Sequence, residues 1–213
     1  MQHLYPKVTW RRGDASVRPT NDKRVIYLTF DDGPIPEVTP RILDILREKK
    51  VKATFFVVGD NVRKHPELLQ SILNEGHRVG NHTFHHLPGW QTSLAEYLRD
   101  VSACDEQLAA AMNTQQLTRS DHPLFRPPYG RMRANQLREL RNAGYEIILW
   151  DVLTHDYNPR FSTEKLLNIV RRYSRNGSIV VFHDSLKSNE RMLAALPQAI
   201  DWWYDNGFVL CTL

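Results

Sequence analysis

The chain has 213 residues, of which 41% are hydrophobic and 10% aromatic, with no low-complexity tract; this excludes a disordered protein and fits one domain spanning 1–213. Its net charge is +4 and its pI about 9.1, yet the basic residues form no aromatic-studded strip or nucleic-acid motif, which argues against a nucleic-acid partner. No apolar run reaches the roughly 18 residues of a membrane span and Met1 to Arg12 holds no apolar leader, so the sequence as it stands predicts a cytoplasmic protein, or an envelope-associated one if it has been trimmed.

After a short N-terminal extension, a core of about residues 24–213 opens with a predicted strand at 25–30, followed by Thr29-Phe30-Asp31-Asp32-Gly33-Pro34, a tight turn with two adjacent acids. Thr39-Pro40 starts a helix, a strand covers 53–58, and His65-Pro66 starts a second helix that stops at Gly76. A third strand at 77–80 runs into Asn81-His82-Thr83-Phe84-His85-His86, and Ser93 with Glu96 makes a capping box for the helix carrying Leu94, Tyr97, Leu98, Val101 and Leu108. Strands at 123–126 and 146–151 flank a helix from about Ala134 to Gly144. Then come a helix at Thr163 to Arg175, a strand at 178–183, a helix at Asn189 to Asn206 and a strand at 208–212. Arg131, Arg133, Arg138 and Arg141, then Arg171, Arg172 and Arg175, read as solvated helix faces, with an acidic envelope polymer left open as a partner. Cys104 and Cys211 lack the spacing of a metal knuckle or redox pair and read as small core residues; no segment points to a protein partner.

Strand and helix alternate about seven times, which in one domain means a parallel sheet with helices outside. Asp31 and Asp32 follow the first strand, His82 the third, Arg126 sits at the fourth, Asp151 at the fifth and His183 at the sixth. Side chains from several strand ends meet on the rim of a barrel, whereas an open sheet concentrates its site at one switch point. An irregular α/β barrel is therefore expected.

Asp32, His82 and His86 offer one carboxylate and two imidazoles, the donor set of a catalytic zinc or similar divalent cation. Spaced four apart, the two histidines are expected on one face of a helical turn, with His85 pointing elsewhere. Arg126, in the proline-stiffened Phe125-Arg126-Pro127-Pro128-Tyr129-Gly130, presents a forked cation able to hold a neighbouring acid ionised. Ile179-Val180-Val181-Phe182 delivers His183, suited to general acid work, and either Asp151 or Asp156 is able to raise its pKa.

Together these motifs resemble the polysaccharide deacetylases of carbohydrate esterase family four, the NodB homology domain, over about residues 24–213: Thr29 to Pro34, His82 to His86, Arg126 to Tyr129, Asp151 to Tyr157, and Val181-Phe182-His183. The resemblance implies a distorted (β/α)7 barrel, with Asp31 as catalytic base, Arg126 orienting it, Asp32, His82 and His86 as metal ligands, and His183 as catalytic acid. Asp156 would tune His183 and the Tyr129 N–H would bind the oxyanion. It further implies zinc, with cobalt or nickel as alternatives, and an N-acetylated glycan substrate, peptidoglycan or chitin-like. A non-catalytic carbohydrate-binding protein and an amidase or O-acetyl esterase stay open. Tyr157 stands where the family often has tryptophan and Val181 where it has leucine, changes that bear on pocket shape. Trp90 either stacks on a sugar or packs beneath the metal loop.

Overall fold

A computed structural model describes residues 8–12, 24–111 and 123–213; the rest of the expected N-terminal extension lies outside the described residues. The strands are β1 (Arg24–Asp31), β2 (Thr54–Val57), β3 (Arg78–Asn81), β4 (Leu124–Phe125), β5 (Glu146–Ile147), β6 (Val152–Leu153), β7 (Ser178–His183) and β8 (Phe208–Cys211). The helices are α1 (Thr39–Glu48), α2 (Gly59–Lys64), α3 (Pro66–Asn74), α4 (Leu94–Ala111), α5 (Ala134–Asn142), α6 (Thr163–Tyr173) and α7 (Asn189–Asp205).

All strand pairs are parallel, in the order β5-β4-β3-β2-β1-β7-β6, and β8 pairs with the first half of β1 while β2 pairs with its last residues. The sheet curls through 211° about one axis, the distorted (β/α)7 barrel that was expected. Residues of the N-terminal segment bridge two parts of the sheet, Thr9 to Ile148 just past β5 and Arg11 to Ser178 at the start of β7.

Burial explains the strand sequences. Val25 to Asp31 of β1 are buried one after another, as are Ser178 to Phe182 of β7, because parallel strands have both faces covered. On one face Phe30 stacks on Phe55 with ring centroids 5.0 Å apart and lies 6.2 Å from Phe182. Helices α6 and α7 cover it with Leu166, Leu167, Val170, Leu196, Ile200 and Trp203, residues spaced three and four apart so that they share a stripe.

Two elements differ from expectation. The strand expected at 146–151 is split into β5 and β6, because the carbonyls of Ile148 and Leu149 turn toward the Arg126 guanidinium, at 3.4 and 3.2 Å. The sequence reading also misses α2. Its first residue, Gly59, packs so closely that a Cβ there would lie 2.7 Å from the Phe84 ring and 2.9 Å from Cys104 Cα. Gly59 and Asp60 donate their N–H groups to the carbonyls of Thr83 and Phe84, which seats α2 against the histidine loop.

Candidate active site

Asp31 and Asp32 leave the end of β1 in different directions, as adjacent residues at a strand end do. Asp31 is 2% exposed, and its Oδ1 accepts a 2.6 Å hydrogen bond from Arg126 Nη1. The same Nη1 donates to Thr29 Oγ1 at 2.8 Å, and the guanidinium lies 4.1 Å from the Phe56 ring centroid. Arg126 is fully buried; burial lowers its pKa, and the Asp31 charge works in the opposite direction.

Asp32 has φ of 82° and sends its carboxylate toward the histidines, with Oδ1 at 3.3 Å from His86 Nε2 and 3.6 Å from His82 Nε2. One donor atom from each of the three residues lies within 4.8 Å of the others, the one such set among the described residues. His82 and Asp32 are in the states a cation needs. His82 Nδ1 sits 2.7 Å from the Arg126 carbonyl, which only accepts, so Nδ1 carries the proton and the Nε2 lone pair faces Asp32. Burial lowers the His82 pKa to about 4 despite the opposing charges of Asp31 and Asp32, keeping the ring neutral. For Asp32, burial favours the neutral acid, but the hydrogen bond with His86 and the electrostatic pull of the surrounding histidines, His183 foremost, prevail and hold its pKa at about 2. An anionic carboxylate with a neutral, oriented imidazole fits a divalent cation.

The histidines do not share a helical turn, which corrects the sequence reading. Thr83 and His86 have φ of 65° and 56°, and the loop amides are held by side chains instead of helical carbonyls. Asn81 Oδ1 accepts from Thr83 N at 2.7 Å, while Asp100 Oδ2 on α4 accepts from Phe84 N and His85 N, both at 2.9 Å. Asp100 Oδ1 also meets His85 Nδ1 at 2.6 Å, so His85 is turned away from the cation donors. Asp105, five residues further along α4, accepts from Asn81 Nδ2 at 2.8 Å and from Tyr145. Asp100 and Asp105 are missing from the sequence reading because acids on an amphipathic helix carry no signal that distinguishes a clamp from a solvated face.

Across from the cation donors, His183 ends β7. Asp156, not Asp151, is its partner: Asp156 Oδ1 lies 2.7 Å from His183 Nδ1, and Oδ2 accepts from His183 N at 2.7 Å. Asp151 instead binds Ser178 Oγ, Ile179 N and Arg175. Burial opposes a charged His183, but the hydrogen bond and charge of Asp156, with the charges of Asp32 and Asp31, outweigh it and raise the pKa to about 9.

Asp31, Asp32, His82, His86 and His183 line one cleft of about 610 Å³, with Tyr129, Trp150, Leu153, Tyr157, Leu186 and Lys187 among its walls. Tyr129, at φ 59°, projects an exposed ring that meets His86 edge-on, and the Tyr157 ring meets His183 edge-on at 4.9 Å. Left-handed backbone at the non-glycine residues Asp32, Thr83, His86 and Tyr129 concentrates strain at this site, which the hydrogen bonds around it offset.

The sequence pattern of the polysaccharide deacetylase family matches residues 18–148. A peptidoglycan-N-acetylglucosamine deacetylase of Bacillus cereus is 32% identical over 91% of this chain and 88% of its own. A chitooligosaccharide deacetylase of Rhizobium leguminosarum bv. trifolii is 34% identical over 91% and 92%. The crystal structure of the Bc1960 peptidoglycan N-acetylglucosamine deacetylase superposes with a TM-score of 0.82 at 33% identity, covering 90% of this chain and 87% of that one. These likenesses overturn the cytoplasmic placement read from the sequence, since peptidoglycan, for which two of the three are named, lies outside the cytoplasmic membrane. Among the described residues no helix is long and apolar enough to cross a membrane. With that pattern over more than half its length and these motifs in one cleft, the chain belongs to the polysaccharide deacetylase family.

Proposed function

We propose that the protein is a metal-dependent hydrolase that removes N-acetyl groups from the amino sugars of a glycan, releasing acetate. The observation that carries this reading is the presence of two differently prepared groups in one cleft: Asp31, held by Arg126, and His183, held by Asp156. When bound at Asp32, His82 and His86, a divalent ion, zinc in this reading with cobalt or nickel as substitutes, supplies Lewis acidity and lowers the pKa of water from 15.7 toward about 7.

The residues divide the proton work. Asp31, held in place by the Arg126 guanidinium, accepts the proton of the attacking water as it adds to the acetyl carbon. His183, protonated at neutral pH, donates its Nε2 proton to the leaving nitrogen as the C–N bond breaks, and Asp156 keeps Nδ1 occupied so that Nε2 faces the cleft. The Tyr129 N–H, in its left-handed turn between Pro128 and Gly130, donates to the carbonyl oxygen as negative charge develops there. Tyr157 and Leu153 shape the wall beside His183 and exclude water.

An acetate-release assay over N-acetylated and O-acetylated glycans tests this. Chelation is expected to abolish release and added zinc to restore it. Asp31→Asn should retain the metal while losing about 10²- to 10⁴-fold in turnover, whereas His82→Ala and His86→Ala should lose the metal as well. Failure of the metal-loaded wild type to release acetate from any glycan would replace the enzyme reading with a carbohydrate-binding one.

A further inference from the structure

One ring beyond the cleft stands Trp90. His86, Tyr129 and Trp90 form a continuous edge-to-face run with centroids 4.7 and 5.3 Å apart, each step comparable with the length of one pyranose ring. Trp90 belongs to none of the apolar clusters of the core among the described residues, and it is only half-buried. Polar groups hold it: Arg133 Nε and Nη2 donate to its carbonyl at 3.2 and 2.9 Å, and the Arg131 guanidinium lies 4.9 Å from its ring centroid. A half-exposed indole immobilised in this way is a platform for a flat apolar face, such as that of a sugar ring.

The two arginines precede α5 instead of lying on it, so the solvated helix face expected for them does not hold here. Arg131 is exposed, and its guanidinium has no carboxylate partner among the described residues. The same is true of the Lys187 ammonium, which lines the cleft itself. A cation beside the indole and another on the cleft wall, neither paired with a carboxylate among the described residues, offer partners to an anionic ligand. A planar guanidinium lying over the indole suits a carboxylate carried by a sugar bound against that platform.

We propose that Trp90 and Arg131 form a subsite for the sugar adjacent to the one deacetylated, Trp90 stacking on its ring and Arg131 pairing with a carboxylate that it carries. The substrate is then an N-acetylated glycan with anionic neighbouring sugars. This rests on the deacetylase reading above.

The test compares kcat/KM of the metal-loaded protein on three tetrasaccharides: neutral N-acetylglucosamine chains, chains alternating with a lactyl-bearing sugar, and chains alternating with a uronate. The last two arms distinguish the sources of the carboxylate. The wild type should prefer one carboxylate-bearing chain over the neutral one, and Arg131→Gln should reduce that preference about tenfold, the scale of one charge-assisted hydrogen bond. Trp90→Ala should raise KM on tetrasaccharides more than on a disaccharide, with Trp90→Phe recovering part of the loss. An unchanged preference in Arg131→Gln, or an equal KM change for both lengths in Trp90→Ala, would overturn the subsite and leave Arg131 as a cation resting on a surface indole. Calorimetric binding of the same chains to metal-loaded Asp31→Asn separates the two readings. A carboxylate preference in binding that Arg131→Gln removes, without acetate release by the wild type, would sink the deacetylase reading and uphold the subsite.

Discussion

Arg126 and Asp31 meet through a 2.6 Å hydrogen bond with both side chains buried, and the same arginine uses its backbone carbonyl to orient His82. One residue just past β4 thus anchors one site group and sets the tautomer of another. Removing it leaves the buried Asp31 carboxyl without its ionic partner. Arg126→Ala should cost about 3–5 kcal/mol of stability, measured by urea unfolding, and abolish acetate release. Arg126→Lys should lose less stability, because its charge remains while its bonds to Thr29, Ile148 and Leu149 cannot all be replaced. Equal stability of Arg126→Ala and wild type would show that the pair contributes nothing net.

Asp156 keeps His183 protonated at neutral pH. In the metal-free protein, an NMR titration of the imidazole should place the wild-type pKa near about 9 and Asp156→Asn well below it. The sign follows from the raised folded-state value: the stability contributed by the charged ring is complete below 6.5 and is lost as pH rises through about 9. Indistinguishable titrations would remove Asp156 from its tuning role.

Asp100 binds no cation, yet its carboxylate holds Phe84 N, His85 N and His85 Nδ1 between the two histidine donors. Asp100→Ala should lower metal affinity about 10- to 100-fold, as loss of a supporting partner does, with the far-ultraviolet circular dichroism unchanged. Chelator competition measures the affinity, and an unaltered value would mean the loop keeps its shape without the clamp.

Asp184 is buried beside the Asp31-Asp32 turn, accepting from Thr39 Oγ1 at 2.6 Å, and a Cβ on Gly33 would come within 2.0 Å of its Oδ2. Burial pushes its pKa up, the Thr39 bond lowers it, the Asp32 charge raises it, and the result is about 8. A folded state that binds this proton more tightly than the unfolded one loses stability as pH rises from about 4 to about 8. Asp184→Asn retains an acceptor for Thr39 and cannot ionise, so the metal-free variant should have a flatter Tm against pH and exceed wild type at pH 8. Parallel curves would contradict this.

Much of the barrel is legible in the chain because its periodicities are strong. Val25 to Phe30 and Ile179 to Phe182 are uninterrupted apolar runs, and the stripes of α1, α6 and α7 recur at three and four. The short elements are not legible: β5 and β6 read as one strand because the diversion of the Ile148 and Leu149 carbonyls depends on an arginine more than twenty residues away. The helical turn expected for His82 and His86 fails for the same kind of reason. Spacing is local, but the acceptors of their loop come from Asp100 and Asn81.

By itself the sequence determined the alternation of strand and helix, and which residue types stand at the strand ends: paired acids, two histidines four apart, a stiffened arginine and a terminal histidine. Those follow from hydrophobic pattern and side-chain chemistry, which are properties of short segments. Only the tertiary structure decided that Asp156 and not Asp151 serves His183, that His82 presents Nε2 to Asp32, and that Arg131 stacks on Trp90 instead of lying on a helix face. Each of these is a contact between residues distant in sequence, set to a few tenths of an ångström by the packing of whole elements, and no local pattern encodes it.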